Sequence, residues 1–361
     1  MKVLLVADEY FSWGVYGGFG AFTRKLGREL VKRDVEVEAV VHKISEDQKP
    51  VGESEMIDGV KVNTLPRNPM VKTFKKKLYK TDADVIHSQC GPYDTYLVFQ
   101  QNSSAKKIVT IQDLRTKDEL TKIGVQKSFL RRIWASYVKQ AFSQAIKMSD
   151  VLTCQAKLLI PKIHETFKTE KPIRFLPNFI DIPKANIKKL DDPSVVWLGR
   201  LDEIKRPELC FELAGKTPYI QYYILGKAHD KDRDLMLRLK YRSISNLHFL
   251  GFQTGKTKQE TLSKAWILIN TSIYECLPVS FLEALSYKCA LLSTQNPDDY
   301  TSDFGAYASP TVDSLKRHLK WLLRDDRWRT LGEEGFEHVQ KVHSTEKGVK
   351  THMKIYEELL A

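Results

Sequence analysis

Short runs of β-branched apolar residues alternate with stretches whose apolar residues recur at helical spacing in the first half of the chain. The chain opens with the run KVLLVA at residues 2–7, a glycine-rich turn, a helical stretch at 22–33 and a second apolar run at 35–42. Continuous apolar runs are typical of parallel strands that are buried on both faces. The pattern therefore predicts a β-α-β unit at the N-terminus.

Further apolar runs in the first half predict more strands, with helical stretches near residues 92–102 and 119–148 between them. The predicted strands are VKVNTL, DVIHSQ, KIVTIQD and DVLTCQ. An alternation of strands and helices is typical of a doubly wound α/β domain with a parallel sheet at its centre.

The alternation starts again at residues 194–198, and the runs YIQYYILG, NLHFLGF, WILINTS and CALLST predict further strands. Pro177 and Pro183 flank the segment LPNFIDIP and disfavour helix there, which places a domain boundary nearby. We therefore expect two Rossmann-like parallel-sheet domains that face each other across a cleft, at residues 1–182 and 183–344. A last helix within residues 345–361 is expected to pack back on the first domain.

Composition narrows the class of protein. The chain has 361 residues, of which 42% are hydrophobic and 28% charged, so disorder and fibrous repeats are excluded. The cysteines are scattered and form no CxxC pair, which argues against a disulfide framework or a zinc cage. The N-terminal apolar run is too short for a signal peptide, and no apolar stretch reaches the ~18 residues that span a bilayer. We expect a cytoplasmic protein.

The charge is unevenly distributed along the chain. The net charge is +12, of which residues 1–185 carry +10 and residues 186–361 carry +2. Two basic stretches with interleaved aromatic residues, 72–80 and 127–142, suit a peripheral contact with an anionic membrane at its inner face. The alternative for 127–142 is an ordinary solvated helix face. No recognised nucleic-acid motif accompanies these stretches, so we do not expect a nucleic-acid partner.

Four glycines, Gly14, Gly17, Gly18 and Gly20, lie in the loop after the first predicted strand, just ahead of the predicted helix. Glycine lets backbone N–H groups approach a ligand closely, and a helix N-terminus favours anions. The loop is thus a candidate phosphate site, although its spacing is not GxGxxG and a tight turn would also explain it.

The loop after the first strand of the second domain, WLGRLDEIKRPEL, carries Gly199, Arg200 and Lys205. Arginine binds phosphate with two parallel hydrogen bonds and lysine acts as a point charge, so the two cations could hold one polyanion. A diphosphate leaving group requires such neutralisation as its charge grows. The alternative is a solvated basic start of a helix.

Two carboxylates in SIYECLPVSFLEALS, Glu275 and Glu283, are separated by seven residues. Glu275 follows a predicted strand and Glu283 lies about two turns into the next helix, so both can face the cleft. Val279 and Ser280 would present backbone N–H groups there. Carboxylates accept hydrogen bonds from paired sugar hydroxyls, although two carboxylates could also be the acid and base of a hydrolase.

These motifs, taken in order along the whole chain, resemble the family-4 retaining glycosyltransferases of the GT-B fold. The resemblance implies that Arg200 and Lys205 hold the diphosphate of a nucleotide-sugar donor. It implies that Glu283 binds the ribose and that Glu275 lies near the donor hexose. Val279 and Ser280 match the segment whose backbone lies near phosphate and sugar, and Phe252 matches the region beside the base. Gly17 and Gly18 match the phosphate loop of the first domain, and Asn178 matches the turn between the domains.

The chain departs from the family pattern in its first domain. Family members usually carry a histidine directly before an aspartate after a strand, and VTIQD places Gln112 before Asp113. Glutamine cannot exchange a proton, but the resemblance implies a retaining reaction in which the leaving phosphate takes the proton of the acceptor. His87 in HSQC is a candidate catalytic histidine, and the alternative is a hydrogen-bonded histidine at a strand end.

Other motifs are set aside. GFQTGKT at residues 251–257 has too few residues between its glycines for a Walker A loop. The acidic segments 230–234 and 82–84 resemble metal-binding DxD motifs, but acidic residues commonly open helices. We therefore predict no metal and no other cofactor.

The sequence thus predicts a metal-independent, retaining hexosyltransferase. Its donor would be GDP-mannose or a UDP-hexose, bound by the second domain, and its acceptor, lipid-linked in our hypothesis, would be bound by the first. Two alternatives stay open: a nucleotide-sugar epimerase or hydrolase on the same fold, and a catalytically weakened subunit that only binds nucleotide sugar.

Overall fold

The structure is a computed structural model that describes residues 1–10, 18–42, 48–68, 79–89, 91–122, 129–184 and 187–361. The chain divides into two compact units. The first consists of Met1–Thr116, Val125–Asn178 and Glu346–Ala361, and the second of Lys117–Gly124 and Phe179–Thr345.

The first unit is built on a sheet with the strand order β3-β4-β2-β1-β5-β6-β7-β8 among the described residues. Its pairings are parallel, apart from the antiparallel pairing of β3 with β4. The strands are β1 (Lys2–Val6), β2 (Glu36–His42), β3 (Ser54–Ile57), β4 (Val60–Leu65), β5 (Val85–Ser88), β6 (Lys106–Ile111), β7 (Val151–Cys154) and β8 (Ile173–Phe175).

Helices connect the strands of this sheet, and the last helix of the chain also belongs to the first unit apart from its first residue. The helices are α1 (Gly18–Val31), α2 (Pro92–Gln101), α4 (Phe129–Met148), α5 (Leu159–Phe167) and α13 (Thr345–Leu360), while α3 (Lys117–Lys122) is assigned to the second unit. The fully buried residues of β1 and β5 show why these apolar runs form central strands.

The second unit is built on a parallel sheet with the strand order β11-β10-β9-β12-β13-β14 among the described residues. The strands are β9 (Ser194–Leu198), β10 (Gln221–Leu225), β11 (Leu247–Gly251), β12 (Ile267–Asn270), β13 (Ala290–Ser293) and β14 (Gly305–Tyr307). This is the doubly wound order in which the chain moves outward in one direction from β9 and then returns to β12 on its other side.

The helices of the second unit lie between and after these strands. They are α6 (Pro207–Gly215), α7 (Lys231–Lys240), α8 (Gly255–Lys264), α9 (Val279–Ser286), α10 (Tyr300–Asp303), α11 (Val312–Leu323) and α12 (Arg327–Val342). Pro207 is the first residue of α6. The N–H at that position has no partner within a helix, so proline, which lacks an N–H, removes no helical hydrogen bond there. Asp230 caps α7 by accepting a hydrogen bond from the Asp232 N–H, so the acidic segment 230–234 opens a helix.

The predicted class of two doubly wound parallel-sheet units is confirmed. The helical stretch predicted at residues 119–148 contains α3 up to Lys122 and α4 from Phe129, and its residues 123–128 lie outside the described residues. The pattern also missed three short edge strands: the antiparallel β3, with half-exposed and exposed residues, and the three-residue strands β8 and β14. Within the described residues, no helix is long and apolar enough to cross a membrane.

Candidate functional site

The second sheet has its topological switch point between β9 and β12, which are hydrogen-bonded neighbours. Ligands of doubly wound sheets bind beyond the carboxyl ends of the strands at such a point. The loop that follows β9 carries Arg200 and Lys205, and the loop that follows β12 carries Glu275. Three of the predicted site residues are therefore placed on the two loops that flank this crevice.

Glu275 is held by hydrogen bonds from three side chains. Its Oε1 accepts from the Lys205 ammonium at 2.6 Å, from the Ser272 hydroxyl at 2.6 Å and from the Asn270 amide at 3.0 Å. The side chain is only 9% exposed. Burial alone would raise the pKa of Glu275, but the Lys205 charge and these hydrogen bonds outweigh it and lower that pKa. The carboxylate is thus fixed in its ionised form.

Arg200 and Lys205, which were expected to converge on one anion, each have a carboxylate partner. Lys205 binds Glu275, whereas the exposed Arg200 guanidinium lies 3.4 Å from an oxygen of Asp202 and 3.3 Å from Nε2 of His229. Both contacts of Arg200 are long and exposed, and such pairs contribute little to stability. The Arg200 side chain is therefore able to exchange these partners for an anionic ligand.

Arg206 is a site residue that the sequence reasoning missed. It lies in the left-handed region with a φ of 43°, and its guanidinium donates to the carbonyls of Thr271 at 2.8 Å and Ser272 at 2.9 Å. A third bond reaches the Thr294 hydroxyl at 3.2 Å. Burial lowers the pKa of Arg206. The side chain joins the loop after β9 to the loop after β12. In the sequence, only the position of Arg206 between a lysine and a proline sets it apart.

The helix after this crevice, α9, begins at Val279, so Val279 and Ser280 both lie in its first turn. Its N-cap is Pro278, and no described side chain caps the N-terminus. The first N–H groups of a helix have no intrahelical partner, so those of α9 are suited to an anion. Glu283 lies in the second turn, and it is paired with Lys258 at 2.6 Å, a partner that the sequence did not indicate.

Glycines allow the loops after β9 and β10 to approach each other. A Cβ on Gly226 would lie 1.8 Å from the carbonyl oxygen of Gly199, which is impossible without moving the backbone. The three atoms nearest to a Cβ on Gly199 would all belong to the Trp197 ring, the first of them at 3.2 Å. Phe252, expected beside the base of a nucleotide, directly follows β11 and is 41% exposed. At the carboxyl end of the second sheet, the backbones at Gly199 and Gly226 thus pass close to each other, and the Phe252 ring is exposed.

In the first unit, Gly18 is the first residue of α1, while Gly17 lies outside the described residues. The N–H of Gly20 in the first turn donates to Oε1 of Glu9 at 3.2 Å. A carboxylate therefore already lies at the helix N-terminus where the sequence predicted phosphate. The phosphate role of this loop stays a prediction.

His87 has no exposed surface. Its Nδ1 lies 2.7 Å from the Tyr356 hydroxyl of α13, and its Nε2 lies 2.6 Å from the Thr110 hydroxyl of β6. Burial, with a smaller effect from His352, lowers the pKa of His87 well below its usual range. This is the arrangement of the alternative, a hydrogen-bonded histidine at a strand end. A ring without exposed surface does not reach a substrate, and we leave His87 out of the proposed catalytic site.

Gln112 takes part in a chain of buried amides at the carboxyl end of the first sheet. Its side-chain Nε2 donates to Gln89 at 2.7 Å, and its backbone carbonyl accepts from the Gln155 side chain. The Oε1 of Gln155 in turn accepts from Asn178 at 2.8 Å. Gln112 Oε1 is buried and has no hydrogen-bond partner among the described residues. Asp113 is paired with Arg115 at 3.0 Å. Gln112 is therefore held in place with one acceptor atom still to be satisfied.

Three potential metal ligands, Asp8, His42 and Asp94, lie together in the first unit, with ligand atoms within 4.8 Å of one another. His42 Nε2 contacts one oxygen of Asp94, and the Tyr79 hydroxyl donates to the other at 3.1 Å. His42 Nδ1 is 3.6 Å from Asp8. Both Asp94 oxygens are therefore engaged in hydrogen bonds. The absence of a metal requirement stays a prediction.

Comparison with known proteins finds similarity to glycosyltransferases. Residues 178–337 match the family described as Glycosyl transferases group 1. The O-antigen biosynthesis glycosyltransferase WbnH of Escherichia coli is 31% identical over 147 residues, which are 40% of this chain and 41% of WbnH. The probable O-antigen biosynthesis glycosyltransferase WbiN of E. coli matches to the same extent. The chain thus spans about two fifths of the length of these curated relatives.

Solved structures are similar over nearly the whole chain. Sucrose-phosphate synthase from Thermosynechococcus elongatus has a TM-score of 0.78 at 17% identity and covers 99% of this chain and 98% of its own. HepE from Anabaena, solved with UDP, has a TM-score of 0.75 at 10% identity and covers 99% of this chain and 100% of its own. At such low identities the similarity shows the fold alone. The fold is GT-B, and its second half carries a glycosyl transferases group 1 match.

Proposed function

We propose that the protein is a glycosyltransferase that moves a hexosyl group from a nucleotide-diphosphate sugar to an acceptor. The observation that supports this most strongly is the placement of Arg200, Lys205 and Glu275 on the two loops that flank the β9–β12 switch point. All three lie within the matched residues 178–337. A site with two cations and a fixed carboxylate suits a sugar joined to a diphosphate.

In the proposed reaction, Arg200 and Lys205 neutralise the charge that grows on the diphosphate as its bond to the sugar breaks. The N-terminus of α9, at Val279 and Ser280, adds backbone N–H groups. Glu275 and Glu283 accept hydrogen bonds from hydroxyls of the hexose and the ribose. The transfer proceeds with retention, because the leaving phosphate takes the acceptor proton on the face where the acceptor attacks.

The acceptor is assigned to the first unit. Gln112, directly after β6, is the residue that we assign to the neighbourhood of the acceptor, but its Oε1 is buried and would have to become accessible before it could accept a hydrogen bond from an acceptor hydroxyl. Glutamine cannot exchange a proton, so Gln112 would not act as a base. Because the curated relatives are named for O-antigen biosynthesis, we propose a lipid-linked saccharide as the acceptor.

A lipid-linked acceptor places the enzyme at the inner face of the cytoplasmic membrane. On α4, Ile133, Trp134 and Tyr137 are exposed, and Trp134 lies against Tyr93 with ring centroids 5.2 Å apart. The exposed cations Arg132 and Lys139 flank them. Aromatic and cationic side chains together suit an anionic membrane surface. Most of the other predicted stretch, residues 72–78 of 72–80, lies outside the described residues.

The test begins with thermal shifts in the presence of GDP-, UDP- and ADP-sugars, followed by transfer assays with lipid-linked saccharides, with and without EDTA. We expect one donor to stabilise the protein and to be consumed only when an acceptor is present, with equal rates in EDTA. Consumption of the donor without an acceptor would indicate the epimerase or hydrolase alternative. Donor binding without turnover on any acceptor would indicate the binding subunit.

A further inference from the structure

Three helices of the second unit cover the same side of its sheet. Leu213 of α6, Leu237 of α7 and Leu319 of α11 are buried in one hydrophobic cluster. The strand residues in that cluster are alternate positions, such as Val195 and Trp197 of β9, and alternate side chains of a strand share one face. The outward sides of α7 and α11 therefore lie on one side of this unit.

The outward side of α7 exposes an aliphatic stripe. Leu235, Met236 and Leu239 are 58%, 53% and 52% exposed on a helix of only ten residues. Their spacing places them next to one another on the helix surface. A single exposed leucine is ordinary, but three adjacent large aliphatic side chains indicate an interaction surface. The exposed cations Lys231, Lys240 and Arg242 lie at the ends of this stripe.

The outward side of α11 exposes cations around a tryptophan. An open groove of about 520 Å³ runs along this side, and Trp321 within it is 43% exposed. It is lined by Asp313, Lys316, Arg317, Lys320, Trp321 and Arg324. Asp313 is already bound by Lys216 at 2.9 Å, and the four groove cations form no ion pair with another described residue. The near-neutral charge of the second half thus conceals a local positive surface.

We propose that this face, formed by the outward sides of α7 and α11, docks on a membrane that contains anionic lipids. The aliphatic stripe enters the boundary between headgroups and acyl chains, Trp321 takes the interfacial position that tryptophan favours, and the cations contact lipid phosphates. This surface is independent of the proposed reaction and of α4.

The composition of the face favours a lipid surface over the other partners it could meet. A second copy docked by two-fold symmetry would bring the same cations close to one another, which is unfavourable. Three half-exposed aliphatic side chains also fall well short of the ~800 Å² per partner that a stable interface buries. Nucleic acids are bound by aromatic stacking and cations, and they offer nothing to an aliphatic stripe.

The test is co-sedimentation of the full chain with vesicles of pure phosphatidylcholine and with vesicles that also contain a quarter phosphatidylglycerol. We compare the wild type with the triple variants Leu235→Ser/Met236→Ser/Leu239→Ser and Arg317→Gln/Lys320→Gln/Arg324→Gln. We expect the wild type to bind the anionic vesicles preferentially and to lose that binding as salt is raised. Each triple variant should bind at least about tenfold more weakly: the cation variant because each surface cation contributes a factor of about five, and the aliphatic variant because it removes the apolar area that would enter the membrane.

Matched control variants remove exposed cations or an exposed apolar side chain from helices and strands outside the proposed face. Lys256→Gln/Lys264→Gln/Lys341→Gln removes three exposed cations from α8 and α12, and Met56→Ser removes an exposed apolar side chain from β3. All variants are checked for an unchanged circular dichroism spectrum and melting temperature. The proposal is overturned if the wild type does not bind anionic vesicles, if the face variants bind as well as the controls, or if the face variants only convert a dimer to a monomer.

Discussion

The ammonium of Lys205 lies 2.6 Å from Oε1 of Glu275, so a residue of the loop after β9 is joined to a residue of the loop after β12. The two strands are neighbours at the switch point of the second sheet. The ion pair therefore lies at the crevice in which doubly wound sheets bind their ligands. Because Glu275 is nearly buried and Lys205 is a quarter exposed, the lysine is the partner that an arriving diphosphate can reach.

Removing either partner of this ion pair should destabilise the second unit unequally. Lys205→Met leaves a buried carboxylate without its cation and should lower the free energy of unfolding by about 2 kcal/mol. Glu275→Gln leaves only a partly exposed ammonium, so it should have a smaller effect. Urea denaturation of both variants and of the double variant tests this. Equal losses in the two single variants would contradict the description of Glu275 as the buried partner.

Substitution of Arg200 should weaken ligand binding, whereas substitution of Arg206 should lower the stability of the protein. Arg206→Ala removes bonds to Thr271, Ser272 and Thr294 and should lower the free energy of unfolding by about 2–3 kcal/mol. Arg200→Ala removes only long, exposed contacts and should leave stability within about 0.5 kcal/mol. In the proposed function, Arg200→Ala should nevertheless weaken nucleotide-sugar binding at least tenfold in calorimetry. The reverse pattern would exchange the roles of the two arginines.

The crossing of the loops after β9 and β10 should tolerate no side chain at Gly226. Gly226→Ala would place a Cβ 1.8 Å from a backbone oxygen, so the loops must separate, and we expect a loss of more than about 3 kcal/mol. Gly199→Ala is the matched control, because its Cβ would meet the Trp197 ring at 3.2 Å and the ring can shift slightly. A melting temperature of Gly226→Ala equal to that of Gly199→Ala would refute the close approach.

Two buried histidines should make the stability of the first unit depend on pH. Burial lowers the pKa of His352 to about 4 from its usual 6.5, and it lowers the pKa of His87 as well. The unfolded chain binds protons at these rings near pH 6.5 while the folded chain does not. The stabilisation is therefore complete above pH 6.5 and is lost as pH falls toward 4, by up to about 1.4 kcal/mol per pH unit for each histidine.

The check is urea denaturation between pH 7.5 and 5.0. His352→Gln should reduce the slope of the free energy of unfolding against pH. Met56→Gln, at an exposed methionine of β3 that carries no titratable group, is the control and should leave the slope unchanged. If His352→Gln left the slope unchanged too, the buried neutral state of His352 would be wrong.

The sequence was sufficient for the central strands of both sheets, because these strands are buried on both faces and form continuous apolar runs, but not for the short edge strands β8 and β14. It could not show that β3 adds an antiparallel edge, since four half-exposed or exposed residues carry no such run. The carboxylates at Glu275 and Glu283 stood out by spacing. The pairing of Glu283 with Lys258 and the bonds from Arg206 to the loop after β12 did not stand out, because these side chains reach their partners only after the chain folds.

His87 shows the limit of reading motifs. A histidine near the end of a strand can point toward a ligand or into the protein, and the choice depends on what covers it. Here the covering residue is Tyr356, 269 positions further along the chain, whose hydroxyl lies 2.7 Å from the ring. No local pattern around His87 contains that information.

The rate of acceptor-dependent donor consumption in Lys205→Ala tests the proposed function most directly. The wild type, Lys205→Ala and the exposed control Lys264→Ala are assayed with the donor that stabilises the wild type, after circular dichroism shows that all three are folded. We expect the control to match the wild type and Lys205→Ala to be slower by about a hundredfold or more, since it loses neutralisation of the leaving diphosphate. A rate in Lys205→Ala equal to that of the wild type would contradict the assignment.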